Sequence, residues 1–225
     1  MKEIFKKYGI FLSEEQEEKF EKYYQILIEE NEKFNITAIT DKREVIIKHF
    51  VDSVYNVDKL TGKLIDVGSG GGFPAIPLKI VNENLNVTLL EATGKKCEFL
   101  KKVIDNLGLQ NVNVINGRAE ELGRNLEHRE SYDFCTARAV ARLNSLCEYC
   151  MPFVKEGGSF LAFKGDYEEE LKEASNAIKT LGGKLKKVDT FEINGAKRGL
   201  IYIEKITKTD SKYPRGRGKE RKCPL

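Results

Sequence analysis

A glycine-rich segment, Gly68–Gly72, stands between an apolar run and a helical pattern, and its residue types could hold a cofactor. The run Leu64–Val67 has the composition of a strand, and apolar residues recur at helical spacing over 76–81. A strand, a glycine loop and a helix in this order bring backbone N–H groups close to a nucleotide-like ligand. Glycines also allow positive φ and a close approach of the ligand to the backbone. We therefore predict that this loop binds a cofactor.

The order of the glycines indicates the kind of cofactor. The dinucleotide fingerprint is G-x-G-x-x-G, and Phe73 occupies the position of its third glycine. A bulky ring there opposes the close packing of helix on strand that a dinucleotide site needs. The loop is better suited to an adenosine ligand without a pyrophosphate, for which S-adenosylmethionine is the obvious candidate. Asp66, just before the loop, could orient the cofactor or a loop amide.

An acidic residue, Glu91, ends the second predicted strand about 20 residues after the loop, where a carboxylate can accept from both ribose hydroxyls. Ala92 and Thr93 follow it and would line the same site. Enzymes that use NAD also place an acid here, so Glu91 alone does not separate the two cofactors. The alternative is a solvated carboxylate on a surface loop.

Two later turns also follow predicted strands, and ligands of open α/β sheets sit beyond the carboxyl ends of strands. Ala119 and Glu120 could contact the adenine, or only begin a helix. Arg138 is placed to hold the cofactor carboxylate or an RNA phosphate, or to make a surface salt bridge. The residues that we predict to bind the cofactor are Gly68, Gly70, Phe73, Glu91, Ala92, Thr93, Ala119, Glu120 and Arg138.

The histidines and cysteines indicate neither a metal site nor a catalytic base. His49 lies on a predicted helix face, where a core role and a functional role are about equally consistent with its spacing, and His128 is the only other histidine. Cys147 and Cys150 form a C-x-x-C pair without a second pair of ligands, so we predict a buried helix face rather than a zinc site.

Alternating strands and helices over 61–206 predict an α/β fold with a mostly parallel sheet. Two strand-like runs joined through Asn194-Gly195 predict a terminal antiparallel hairpin. Residues 1–60 are predicted to be a helical segment packed on this domain, and residues 207–225 a basic tail. Strands are expected at 63–67, 87–91, 112–116, 132–136, 159–163, 184–193 and 200–205, and helices at 13–34, 42–57, 73–81, 94–107, 141–151 and 167–181.

Composition excludes several classes of protein. Hydrophobic residues make up 40% of the 225 residues and charged residues 32%, as in globular proteins. No apolar run approaches the roughly 18–20 residues of a membrane span, and charge begins too close to Met1 for a signal peptide. Five cysteines without a disulfide spacing indicate a reduced protein. We expect a cytoplasmic monomer with no membrane contact.

The net charge of +3 is unevenly distributed along the chain. From Thr207 to Leu225, seven basic residues face two acidic ones, so this tail carries +5 and the rest of the chain −2. A mildly acidic body with a basic tail indicates an anionic partner. From its composition we expect the tail to be disordered until that partner binds.

Six motifs are spread over nearly the whole chain: Asn35-Ile36-Thr37-Ala38-Ile39, His49-Phe50-Val51-Asp52-Ser53, the stretch 65–78 with Gly68-Ser69-Gly70-Gly71-Gly72-Phe73-Pro74 and Ile76-Pro77-Leu78, Thr136-Ala137-Arg138-Ala139, Phe163-Lys164-Gly165 and Tyr213-Pro214-Arg215. Together they resemble the glucose-inhibited division protein B family, the bacterial small-subunit ribosomal RNA methyltransferases. This resemblance implies a class I S-adenosylmethionine-dependent methyltransferase fold, Rossmann-like, with a seven-stranded sheet that ends in the hairpin.

The resemblance further implies methylation of guanine N7 in the 530 loop of 16S rRNA, with free rRNA or the small ribosomal subunit as partner. It carries cofactor binding onto Gly68, Phe73, Glu91 to Thr93, Ala119, Glu120 and Arg138. Guanine N7 has a lone pair and no proton, so the reaction needs no general base, and the base must be unpaired or flipped out. The residues expected to contact RNA are Arg138, Arg142, Lys164, Arg215 and Arg217.

Three alternatives remain open at the level of sequence. The chain could methylate a small molecule or a protein, which its basic tail argues against. A NAD-dependent oxidoreductase is opposed by Phe73, by the terminal hairpin and by the lack of a substrate domain. A non-catalytic RNA-binding protein on the same fold is the third alternative. Deleting the basic tail should separate it from an enzyme, since an enzyme is expected to keep cofactor binding without the tail.

Overall fold

A seven-stranded sheet organises the chain, and the computed structural model describes all residues from Met1 to Leu225. The strand order is β3-β2-β1-β4-β5-β7-β6. The first five strands in this order are parallel, and β7 pairs antiparallel with both β5 and β6. The strands are β1 (Lys63–Val67), β2 (Asn86–Glu91), β3 (Val112–Asn116), β4 (Tyr132–Arg138), β5 (Val154–Lys164), β6 (Gly183–Ile193) and β7 (Ala196–Lys205).

Helices cover both faces of the sheet. They are α1 (Lys2–Lys7), α2 (Glu14–Asn31), α3 (Lys42–Val45), α4 (Asp52–Val54), α5 (Ala75–Val81), α6 (Gly94–Leu107), α7 (Ala119–Leu122), α8 (Leu143–Cys150), α9 (Glu168–Glu173), α10 (Ser175–Thr180) and α11 (Lys219–Lys222). A π-helical turn, Ile46–Val51, joins α3 to α4, and Met151–Phe153 form a 3-10 turn. None of these helices has the length and apolar character needed to span a membrane.

Two hydrophobic clusters fill the space between sheet and helices. The larger one has 31 buried residues and joins Phe5, Phe20 and Phe50 of the N-terminal helices to Leu64 and Leu89 of the sheet. The second cluster, of 24 buried residues, lies on the other face under α8 and α10. The N-terminal helices therefore share a core with the sheet, because their aromatic side chains belong to the same buried cluster as the strand residues.

Parallel pairing brings the carboxyl ends of β1, β2, β3 and β4 to one edge of the sheet. Val67 pairs with Leu90, and Leu90 with Ile115. On the other side of β1, Asp66 pairs with Thr136. The loops after these strands consequently meet above one edge, as the sequence predicts for a ligand site.

Most predicted elements are present, and the differences have local causes. β1, β3 and α6 have the predicted bounds. β5 begins at Val154 rather than at residue 159, because Tyr132 pairs with Val154 across a bulge. The helix expected over 167–181 divides at Ala174 into α9 and α10. The hairpin turns at Asn194 and Gly195 with φ of 51° and 75°, as a two-residue hairpin turn requires.

The C-terminal tail is ordered, so the expectation of disorder is wrong. Arg215 makes a bidentate contact with the carboxylate of Glu148, with 2.7 Å from Nη2 to Oε2. Glu148 is fully buried. Arg129 donates to the carbonyls of Thr209 and Tyr213 at 2.7 and 2.8 Å. Composition predicted disorder because it counts charges, whereas Arg215 has a buried partner and the body holds the tail backbone through Arg129.

Candidate active site

The glycine loop follows β1 and is held by the neighbouring strand. Gly68 and Ser69 donate from their backbone N–H groups to Leu90 O at 2.8 and 3.1 Å. Gly68, Gly70 and Gly72 have φ of 72°, 56° and 88°, which only glycine adopts freely. A Cβ on Gly68 would lie 2.7 Å from Val140 Cγ2, so a side chain here would fill the space above the strand ends.

Glu91 links the glycine loop to the end of β2. Its Oε2 accepts from the Gly70 N–H at 2.9 Å, and its Oε1 accepts from the Thr93 N–H at 2.8 Å. A carboxylate has about four acceptor sites, so two charge-assisted bonds leave capacity for ribose hydroxyls. The structure thus brings Gly70, Glu91 and Thr93 together, and it adds a role in shaping the loop that sequence reasoning missed.

A cavity of about 300 Å³ opens at this edge. This volume is at the lower end of small-ligand sites and suits a nucleoside. Its lining includes four of the residues predicted to bind the cofactor: Gly68, Ala92, Ala119 and Glu120. Because glycines form part of its wall, the residues present fit an adenosine-containing cofactor. We call this space the adenosine cavity.

Phe73 has a different surrounding from the one expected for a residue beside the cofactor. Its ring stacks on His49 with centroids 4.6 Å apart and on Tyr23 at 5.6 Å. The Arg138 guanidinium lies 5.0 Å from the ring centroid. Phe73 therefore connects the glycine loop to the N-terminal helices through its side chain, and only its backbone belongs to the loop itself.

A second cavity, of about 360 Å³, lies next to the first. Ala139 lines this cavity, and its neighbour Val140 lines the adenosine cavity. Ala139 has a φ of 58°, so the chain turns sharply between the two spaces. The walls carry aromatic rings and cations, namely His49, Arg138, Phe163, Lys164, Phe191 and Arg198. We call this space the acceptor cavity.

One carboxylate holds two guanidinium groups at the acceptor cavity. Asp52 Oδ2 accepts from Arg138 Nη1 at 3.0 Å, and Asp52 Oδ1 accepts from Arg198 Nε at 2.8 Å. The side chains of Asp52 and Arg138 are 9% and 14% exposed, so this pair is largely desolvated. Burial lowers the pKa of Arg138, and the charge of Asp52 opposes that shift. Arg138 is consequently a fixed group within an ion triad.

His49 is neutral and contacts the Arg138 guanidinium on the side away from Asp52. Burial, followed by the charge of Arg138, lowers its pKa to about 4. Arg138 Nη2 lies 3.3 Å from His49 Nδ1, and Thr37 Oγ1 lies 2.8 Å from Nε2. Since a guanidinium can only donate, Nδ1 accepts and Nε2 carries the proton donated to Thr37. These two contacts fix the tautomer of His49 with the proton on Nε2. Both ring nitrogens are engaged, so we assign His49 a structural role and not that of a base.

Asp66 lies beneath the glycine loop at the end of β1. It is fully buried, and burial raises its pKa to about 7. Its Oδ1 accepts from Thr136 Oγ1 at 2.8 Å, while Oδ2 has no partner. Asp66 makes no hydrogen bond to an amide of the loop, so its carboxyl supports the strand pair β1–β4 instead.

The other residues expected to contact RNA differ in how free they are. Lys164 donates to Ala141 O at 2.6 Å and to Glu170 Oε2 at 2.7 Å, and its side chain is 9% exposed. Arg142 pairs with Glu173 at 2.7 Å, but this pair is exposed. Arg217 is exposed and makes no ion pair.

Several residues of the site were not singled out from the sequence. Asp52 carried a signal, since a carboxylate three positions after His49 on an apolar helix face needs a partner. Tyr23, whose hydroxyl donates to Gly71 O, belongs to a stripe predicted only as core. The cysteine pair is buried, as predicted for a helix face, since Cys147 and Cys150 are both fully inaccessible.

Comparison with known proteins agrees with this architecture. The family model GidB, described as rRNA small subunit methyltransferase G, matches residues 16–201. The chain belongs to this family. The ribosomal RNA small subunit methyltransferase G of Staphylococcus epidermidis is 48% identical, covering 96% of this chain and 93% of that protein. That of Leuconostoc citreum is 45% identical, covering 96% and 94%.

Solved structures show the same fold. The crystal structure of M. jannaschii TYW2 in complex with AdoMet superposes with a TM-score of 0.59 at 17% identity, covering 77% of this chain and 81% of that one. A SAM-dependent methyltransferase from Aquifex aeolicus gives a TM-score of 0.54 at 18% identity, covering 72% and 94%. The predicted family, the predicted class I methyltransferase fold and the predicted enzyme class are confirmed.

Proposed function

We propose that this chain transfers a methyl group from S-adenosylmethionine to guanine N7 in the 530 loop of 16S rRNA. The family supports ribosomal RNA of the small subunit as the substrate, since the relatives that match almost end to end carry that activity in their names. A substrate in the small subunit would place the protein in the cytoplasm. We also propose that it works as a monomer, which its elution volume in size-exclusion chromatography would test.

The observation that carries the proposal is the adjacency of the two cavities. Consecutive residues, Ala139 and Val140, line the acceptor cavity and the adenosine cavity respectively. The two linings therefore meet at this turn, which supports a methyl donor in one space and an acceptor base in the other. The acceptor cavity has room for about one nucleobase, which agrees with a base that is unpaired or flipped out.

The chain's own residues position the reactants and need not remove a proton. When bound, S-adenosylmethionine supplies an electrophilic methyl group on a sulfonium. Gly68 and Ala119 would hold its adenosine part, because they line the adenosine cavity. Glu91, which accepts from the Gly70 N–H of the glycine loop, would hold its ribose. Guanine N7 carries a free lone pair, and the neutral His49, tied to Arg138 and Thr37, has no role as a base. Catalysis then rests on orientation and electrostatics.

We assign RNA contacts to the basic residues by the exposure of each side chain and by whether protein groups already hold it. Arg142 and Arg217 are exposed and would bind phosphate directly. Arg138 and Lys164 would act from fixed positions at the acceptor cavity, because protein partners already hold them. Arg215 would act indirectly by anchoring the tail on Glu148.

The decisive experiment is methyl transfer from labelled S-adenosylmethionine to 16S rRNA or to small subunits from cells that lack this modification, with the modified nucleotide mapped. We expect a single N7-methylguanosine in the 530 loop. Cofactor binding without transfer to either RNA substrate would overturn the assignment. Transfer to another nucleotide would overturn the position and keep the substrate class.

A further inference from the structure

The C-terminal segment Gly216–Lys222 lies between the adenosine cavity and a basic groove. Gly218 and Arg221 of this segment line the adenosine cavity, together with Gly68, Ala119 and Glu120. Gly218 also lines the groove, whose other walls include Arg118, Arg217 and Lys219. The segment is thus one wall shared by two spaces.

The segment is fastened to the body at the side of the adenosine cavity. Ser145 Oγ donates to Glu220 O at 2.7 Å, and Arg221 Nη2 donates to Val140 O at 3.3 Å. Val140 is the residue whose side chain covers Gly68 of the glycine loop. The attachment therefore runs from the tail through Val140 to the loop that is proposed to hold the cofactor.

Glu220 is an unusual residue to find in a basic tail. It is fully buried, its Oε1 accepts from the Gly216 N–H, and its Oε2 has no partner. Burying a carboxyl with a free oxygen is costly, so the segment must gain from other contacts when it closes on the body. Arg215 on Glu148 supplies one of these contacts.

The backbone of the segment is also held in a restricted conformation. Gly216, Arg217 and Gly218 have φ of 75°, 58° and 73° in succession. A non-glycine residue in this region is strained, and such conformations persist only where surrounding contacts fix them. The turn directs Arg217 outward and returns the chain so that Arg221 reaches the adenosine cavity.

We propose that residues 218–221 are part of the cofactor site, with Arg221 as a cofactor-binding residue on the outer wall of the adenosine cavity. This inference rests on the proposed use of an adenosine cofactor. It changes the expectation that an enzyme keeps cofactor binding after deletion of the tail, because deletion would open this wall. RNA bound at the outward cations and cofactor bound at the inner face would then affect each other's affinity.

The test measures the Kd of S-adenosylhomocysteine by calorimetry, without RNA, for Arg221→Ala and for Lys222→Ala. These neighbours carry the same charge and are both exposed, but only Arg221 lines the adenosine cavity. We expect Arg221→Ala to raise the Kd about fivefold and Lys222→Ala to leave it unchanged, since a charged hydrogen bond and a cavity wall are lost in one variant only. Equal Kd values for both variants and the parent chain overturn the inference.

A second variant, Ser145→Ala, removes one anchor of the segment without changing a residue of the adenosine cavity. We expect the Kd of S-adenosylhomocysteine to rise in this variant as well. Far-UV circular dichroism should confirm that its fold is unchanged. If the parent chain itself binds no S-adenosylhomocysteine or S-adenosylmethionine, the proposed function fails. If the parent binds and Arg221→Ala binds as tightly as the parent, only the further inference fails, whatever the Kd of Ser145→Ala.

Discussion

The ion triad at the acceptor cavity predicts a large loss of stability when its carboxylate is neutralised. Asp52→Asn keeps the size of the side chain and removes its charge. Asp52 now accepts from both Arg138 and Arg198. The asparagine amide could accept from one guanidinium through its oxygen, but its NH₂ group would face the other donor. Arg138 would then be a buried cation that has lost its hydrogen-bonded counter-charge.

The magnitude follows from the burial of the pair. Breaking a buried ion pair by removing one partner costs about 3–5 kcal/mol, because the remaining charge is left uncompensated. Both side chains of the Asp52–Arg138 pair are less than 15% exposed, at 9% and 14%, so this range applies. The amide retains one acceptor, which favours the lower end. We therefore expect Asp52→Asn to lower the free energy of unfolding by about 3 kcal/mol.

Urea denaturation at pH 7 measures this loss, with Glu173→Gln as the control. Glu173 also pairs with an arginine, Arg142 at 2.7 Å, but those side chains are 40% and 54% exposed. An exposed pair contributes about 0–1 kcal/mol, so the control should hardly change the midpoint. If Asp52→Asn costs no more than Glu173→Gln, the premise that Asp52 compensates a buried charge is wrong.

Three further predictions concern single residues. The pKa of His49 is about 4 in the folded chain and 6.5 in the unfolded chain, so between these pH values the unfolded chain binds one more proton. The free energy of unfolding therefore falls as pH drops from 6.5 to 4. In His49→Gln this fall should be shallower. Gly72→Ala should cost about 2–4 kcal/mol in urea denaturation, because its Cβ would lie 2.6 Å from Tyr23 Oη at a φ of 88°, whereas Gly108→Ala, with a φ of 61° and open space, should cost about 1–2 kcal/mol. Glu91→Gln should weaken S-adenosylmethionine binding about tenfold in calorimetry, since it places an NH₂ group where backbone N–H groups now donate.

The strands and helices of the sheet domain could largely be predicted because their signals are local. β1 and β3 are short apolar runs next to turns, and α6 has a helical stripe that ends at Gly108 with a φ of 61°. The early start of β5 could not be predicted, because Lys155–Gly158 have no strand pattern and are ordered by pairing across the sheet. No local signal marks the break at Ala174, since alanine is a strong helix former.

In the candidate site, too, some features could be predicted from the sequence and others could not. Backbone features, such as the glycine loop and the acid at the end of β2, follow from topology and could be predicted from spacing. Side-chain partnerships could not, because Arg138 and Asp52 are 86 residues apart in the sequence and meet only in the fold. The same is true of Val140, whose contact with Gly68 depends on the left-handed turn at Ala139.

For the tail, the count of charges in the sequence and the ion pairs of the fold lead to different expectations about which cations can bind an anionic partner. Its composition, with a net charge of +5, indicates one mobile arm for an anionic partner. In the fold, Arg215 is tied to the buried Glu148 and Glu220 is buried, whereas Arg217, Lys219 and Lys222 stay exposed around the turn at 216–218. That turn is ordered by contacts at the adenosine cavity, since Ser145 and Val140 hold its far end. A segment that composition assigns to RNA alone therefore has its geometry set in part by Val140, which also lines the proposed cofactor site.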